Sequence, residues 1–315
     1  MFPPIFLKGE GLAPNLINGT GEFRPNMFKA ALRGHTLRLF GGVTNEAIAQ
    51  KLTKKLWGGF NGKSPYVGKL GIAFNAVNLE MDTFGRFELP TYDLKEGKLE
   101  ILCLGNMTEK QQGNLKNLML NIVKFSFLLG GFGKSWRRVD HRKFFSEYFQ
   151  RNNKPMIGCH WELIKNSEKL YIPVNSLSDV TNFLDGLHSK IKAYVQKVEK
   201  QKLVNKGSNW REAWHPEKVE VFGRIAEGDF DSEAIYWFHQ EYQRGKTIKN
   251  SVLTGKMGKI GRIWHRMYPR YILENKQLKK TTEYVELLTI FPDDSETTND
   301  FLDYLENASE FEKVW

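Results

Sequence analysis

Residues 128–143 read LLGGFGKSWRRVDHRK. Gly130, Gly131 and Gly133 let a backbone approach a ligand closely, while Lys134, Arg137, Arg138, Arg142 and Lys143 add positive charge and Ser135 a hydroxyl. That combination suits phosphate oxygens. Lys134-Ser135 after a glycine also has the form of the end of a nucleotide-binding loop. However, the first glycine of that motif falls on Leu128, and a helix precedes the segment where a strand is required. Nucleotide hydrolysis is therefore not expected, and the plain alternative is a helix stop followed by a solvated basic turn.

Two further segments combine cations with glycine or aromatic residues. In GEFRPNMFKAALRGHTLRLFGG, Arg24 precedes a helix carrying Lys29, Arg33 and Arg38, whose guanidinium groups can fork onto phosphate. In TIKNSVLTGKMGKIGRIWHRMYPRY, Lys256, Lys259, Arg262 and Arg266 alternate with glycines and with Trp264 and Tyr268. A strand over 260–268 puts Arg262, Trp264, Arg266 and Tyr268 on one face. Single-stranded RNA is held by such mixtures, bases on rings and phosphates on cations. The competing reading makes Trp264 and Tyr268 core, with arginines reaching out from an edge.

The seven histidines show no metal-binding spacing, and Cys103 and Cys159 stand far apart, so neither a metal nor another cofactor is expected. For acid–base chemistry on RNA the candidates are two lone carboxylates, Asp82 and Asp140, each also readable as a turn or ion-pair residue.

The elements that must position these groups follow from periodicity. Phe28, Ala31, Leu32, His35 and Leu39 predict a helix from Asn26 to Gly41-Gly42, and a second runs over 46–56. Residues 114–129 and a long segment from Ser178 through Val180, Leu184, Leu187, Ile191 and Val195 also read as helices. Strands are expected at 4–7, 66–74, 98–104, 157–164, 219–225, 260–268 and 284–291, with a helix over 232–243 and a linker over 205–216.

The 315 residues carry a formal net charge of +10. Residues 291–315 hold eight carboxylates against Lys313 alone, a charge of −7, which leaves +17 on residues 1–290. Such a surplus points to an anionic partner, nucleic acid first, against the alternative of a solvated basic surface. The opening MFPPIFLKGE lacks the pattern of a signal peptide and no apolar run is long enough to span a bilayer, so the expectation is a cytoplasmic chain without a membrane partner.

Taken together, these segments resemble the RAMP superfamily of CRISPR effector subunits, most closely the first subunit of the Cmr-type type III complex (the Cas seven-type backbone branch). PPIFLKGE resembles the end of that family's first strand, of the form TPLFxGG. EFRPNMFKAALRGHTLRLFGG resembles ELRPPSxKGALRFWxRAxxGG, with Phe23, Arg24, Pro25, Lys29, Ala31, Leu32 and Arg33 matching. LLGGFGKSWRRVDHRKF resembles the GGxGxRSRRGFG loop through Gly130, Gly131, Gly133, Arg137 and Arg138. Ser135 stands where the family has an arginine, and Val139-Asp140-His141 replaces the final GFG.

The resemblance implies an α+β fold with a modified ferredoxin-like (RRM-like) core, elaborated by helical and loop insertions and present once or twice. The expected division is an RNA-binding domain at 1–175, a second helical/αβ domain at 176–290 and an acidic tail at 291–315. The implied role is a CRISPR RNA-binding structural subunit of a type III effector in antiviral defence, with CRISPR RNA, target RNA and other Cas subunits as partners. Related backbone subunits often cut RNA with a loop Asp. Residues 10–21 contain none, which favours a role without cleavage. The alternatives are a RAMP-family endoribonuclease and a basic structural protein docking onto an acidic subunit.

Overall fold

Ten strands and six α-helices make up the regular structure among the described residues, and the strands form two four-stranded antiparallel sheets and a small hairpin. The computed structural model describes residues 2–13, 17–84, 88–132, 144, 160–199, 207–255 and 261–315. The chain is α+β.

The first sheet comprises β1 (Ile5–Leu12), β4 (Leu70–Phe84), β5 (Leu89–Cys103) and β6 (His160–Leu163) in the order β4-β5-β1-β6. Between β1 and β4 lie α1 (Asn26–Gly41), α2 (Glu46–Trp57) and the hairpin of β2 (Gly59–Asn61) and β3 (Ser64–Tyr66). Helix α3 (Glu109–Phe125) links β5 to β6 and runs into a π-helical turn over Ser126–Gly130. The second sheet comprises β7 (Glu220–Ala226), β8 (Ile263–Glu274), β9 (Gln277–Ile290) and β10 (Glu312–Lys313) in the order β10-β7-β9-β8. Helix α5 (Glu233–His239) follows β7, and α6 (Glu296–Asn307) follows β9. Leaving aside α2 and the small hairpin, each sheet is threaded strand–helix–strand–strand–helix–strand, and each lines its strands up as fourth, first, third, second.

The helices form where the apolar spacing places them. Phe28, Leu32, His35 and Leu39 of α1 are buried, with Phe28 stacked on Phe74 of the first sheet at 4.8 Å and edge-on to Trp161 at 4.8 Å. Each such side chain contributes roughly 1.5–3 kcal/mol by leaving water. Pro25, not Asn26, precedes the first turn of α1, and no side chain caps it. Asn45 caps α2 through the Ile48 amide at 3.0 Å, and Gly58 stops it at φ +82°. Helix α3 starts five residues before the expected position because Thr108 and Gln111 form a capping box. Helix α4 (Ser178–Glu199) buries Val180, Leu184, Leu187, Ile191 and Val195 and packs against α1 and α3.

The second sheet is covered on both faces. On one, Trp264, Tyr268, Val285 and Leu287 join a core that also contains Leu7, Phe28 and Leu99 of the first unit. On the other, Ile263, Met267, Leu288 and Ile290 pack beneath Ile235, Trp237 and Phe301 of α5 and α6. The expected linker over 205–216 delivers Trp214 into the first of these cores, where it stacks on Trp264 at 6.0 Å and on Trp315 at 5.1 Å. Residues 291–315, expected as an acidic tail, supply α6 and β10, with Phe301, Leu305, Phe311 and Val314 buried. Four of the eight carboxylates, Glu296, Asp300, Asp303 and Glu306, lie on α6, the amphipathic helix that the spacing of Phe301, Leu302 and Leu305 predicts within this acidic segment.

Candidate nucleic-acid interface

The two segments of strongest resemblance meet. His35, on the buried side of α1, places its Nε2 2.9 Å from the Gly131 carbonyl oxygen. A Cβ at Gly130 would lie 2.6 Å from that same nitrogen and closer still to the ring carbon beside it, a separation that real side chains do not tolerate. Gly131 has φ +56° and ends the π-helical turn. The first two glycines of the basic segment therefore serve close packing against α1. Gly133, Lys134, Ser135, Arg137, Arg138 and Asp140 lie outside the described residues, as do Lys256 and Lys259.

The remaining expected cations divide into half-exposed and engaged groups. Lys29 and Arg33 are half-exposed on α1, and Arg24 pairs with Glu22 at 2.7 Å just before it. Arg38 is held internally. It pairs with Glu212, its Nε 2.9 Å from the carboxylate, and its guanidinium lies 5.1 Å from the Trp264 ring centre and 5.7 Å from that of Trp210.

The strand face expected as a stacking platform points inward. Trp264 is 6% exposed, and Arg266, 5% exposed, donates to the Trp161 carbonyl at 2.8 Å and the Phe127 carbonyl at 3.2 Å. Arg262 donates to the carbonyls of Phe291 and Pro292 at 3.3 and 3.2 Å. Period-two spacing had put these residues on one side, but both sides of this sheet are covered, so Trp264 and Arg266 join the two units while Arg262 stays within the second, also pairing with Asp293 at 3.5 Å. Asp82 lies exposed on β4, accepting a hydrogen bond from the Thr83 amide at 2.7 Å.

A cleft of about 310 Å³ opens between the units, lined by Lys8, Asp93, Lys95, His160, Glu162 and Arg266 among others. Its charges are matched within it. Burial pushes the Glu162 carboxyl up, but Lys8 at 3.2 Å and Arg266 outweigh that and hold it below the usual range. Lys95 pairs with Asp93. A cleft with both signs present suits a polyanion poorly.

A feature that sequence reasoning missed lies beside α1. The β2–β3 hairpin projects Phe60 (65% exposed) and Tyr66 (41% exposed), with Val67 exposed next to them. A Cβ at Gly59 would sit 3.7 Å from the Arg33 guanidinium and 3.5 Å from the Lys54 stem, so two cations flank the base of this finger. The signal was Gly62, which at φ +60° takes the first place of the two-residue turn Gly62-Lys63 between Asn61 and Ser64. Exposed rings along the hairpin and cations at its base match the demands of an unpaired strand.

The charge follows the architecture. Residues 1–206, which include α4, carry 31 Lys and Arg against 17 Asp and Glu, a net +14. Residues 207–315 carry 15 against 19, a net −4. The positive surplus of the sequence thus falls in residues 1–206, whose described residues hold 20 Lys and Arg against 15 Asp and Glu, a net +5. No family model matches this sequence, and no curated protein is similar to it. The fold is that of an α+β protein of two like-threaded sheets, the first unit net positive and the second net negative among the described residues.

Proposed function

We propose that this chain is a CRISPR RNA-binding structural subunit of a type III, RAMP-class ribonucleoprotein effector, acting beside other Cas subunits on target RNA. The observation that carries this reading is the junction of α1 with Gly130-Gly131. The two segments resembling that superfamily, 96 positions apart at His35 and Gly131, pack together on the basic unit. The strand order and threading of each sheet are those of a ferredoxin-like unit, which supports a duplicated core of that kind. On this reading Lys29, Arg33 and the Phe60–Tyr66 finger contact RNA, and Arg38, Trp264 and Arg266 hold the scaffold.

Two measurements test it. Tagged protein isolated from its native host is expected to retain repeat-derived guide RNA together with other Cas subunits. Recovery of neither would overturn the assignment. In vitro, the triple variant Arg33→Glu, Phe60→Ala, Tyr66→Ala should bind a fluorescent single-stranded RNA at least tenfold more weakly, since each stacked base is worth about 1–3 kcal/mol. Its melting temperature should stay near that of the wild type, because all three side chains reach solvent. Unchanged affinity would remove the finger from the interface.

A further inference from the structure

A second basic surface lies on the helical side of the first unit. On α3, Asn114, Asn117, Asn121 and Lys124 recur at intervals of three and four and so share one face. On α4, Lys190, Tyr194 and Lys197 do the same, opposite the buried Leu184 and Val195. Between the helices run two hollows of about 280 and 500 Å³, which share Asn114, Tyr194 and Lys197 and so form one groove. Lys55 and Lys69 line one end and Lys190 the other.

Two features separate this groove from an ordinary solvated surface. Its lining brings four lysines, Lys55, Lys69, Lys190 and Lys197, together with no Asp or Glu among them. Finally, burial and then the charge of Lys190 push the Lys124 ammonium below its usual pKa, two cations close together without a counter-charge.

The groove is also too long for one small anion. Ten residues of α3 separate Gln111 from Asn121, about 15 Å along the axis, and Lys55 and Lys69 line the Gln111 end. Between the lysines stand the amides of Gln111, Asn114 and Asn117, which both donate and accept. A cation–amide–cation lining fits a polymer that repeats a charged group and a polar edge. A simple phosphate would use one end only, whereas single-stranded RNA brings a phosphate at every repeat for the lysines and base and ribose edges for the amides.

We infer that the α3–α4 groove is a second RNA site, holding the backbone of a single-stranded segment distinct from that at α1 and the hairpin. The inference rests on the protein's being an RNA binder, but not on the RNA's being a CRISPR guide.

The test compares wild type, a Lys190→Glu, Lys197→Glu variant and the Arg33/Phe60/Tyr66 triple variant by fluorescence anisotropy with a single-stranded RNA, across a salt series. Both lysines are exposed, so the double variant is expected to fold. It should bind at least tenfold more weakly, with the slope of log affinity against log salt shallower by about 1.4, the value for two phosphates on a single strand. Lys55 and Lys197 should also be protected from an amine-modifying reagent when RNA is bound. Wild-type affinity and slope in the double variant, with the triple variant impaired, would overturn the groove and leave the proposed function standing. No RNA binding by wild type would overturn both. Binding of an acidic protein after nuclease treatment, blocked by the lysine changes and without RNA protection, would replace RNA by protein as the occupant.

Discussion

Glu286→Ala is expected to destabilise the protein by about 3–5 kcal/mol, read as a lower urea midpoint. The carboxylate is fully buried at the centre of β9 and accepts from Ser232 Oγ at 2.5 Å, Arg224 Nε at 2.7 Å and His265 Nε2 at 3.0 Å. The amides of Glu233 and Ala234, at the start of α5, also point to it at 3.2 and 3.1 Å. It therefore anchors α5 while neutralising Arg224, whose other partners are Asp231 at 2.7 Å and the exposed Glu310 at 3.6 Å. Removing it leaves a nearly buried guanidinium without its one buried counter-charge and two amides without an acceptor. Glu286→Gln keeps the shape and should cost less.

The same group gives stability a defined pH dependence. Burial pushes the Glu286 carboxyl up, but the bonds from His265, Arg224 and Ser232 outweigh it and hold it below the usual range. A group depressed in the folded state contributes its full stabilisation above the unfolded carboxylate value, about 4.3, and loses it as pH falls through the lower native value. The urea midpoint of the wild type should thus fall on acidification below that value, and that of Glu286→Gln should fall less.

Gly130→Ala is expected to cost about 1–3 kcal/mol, because the added methyl enters the space of the His35 ring. The effect should be strongly non-additive with His35→Ala, which vacates that space: the double variant should be no less stable than His35→Ala alone. Additive losses would mean that the glycine is required for something other than this packing. The pair of measurements separates a glycine needed for ligand approach from one needed for helix approach, a distinction that resemblance to a phosphate-binding loop leaves open.

The helices were legible because apolar residues recur on one side, as with Phe28, Leu32, His35 and Leu39, and with Val180, Leu184, Leu187 and Ile191. The outer half of the β4–β5 hairpin was not. From Val77 to Thr83 the residues of β4 are exposed or half-exposed on both faces, so no alternation marks them as a strand. The direction of β8 was hidden for the opposite reason, since period-two spacing tells which residues share a face but not what covers it. Glu286 is a single carboxylate in an apolar run, and its partners arrive from β7, β8 and the start of α5. The basic groove needs α3 beside α4, an adjacency that 69 positions of chain between Asn121 and Lys190 conceal.

The division of charge between the two units bears on encounter as well as on binding. With a net +5 on the described residues of the first unit and −6 on those of the second, the molecule has an electric dipole, and an approaching polyanion turns it before any atom touches. Collisions on the α5–α6 side are discouraged, and those on the basic side are guided over roughly a Debye length, about 8 Å in physiological salt. The acidic residues of α6 thereby act at a distance, choosing which side arrives first. For an RNA ligand, salt should slow association far more than it hastens release.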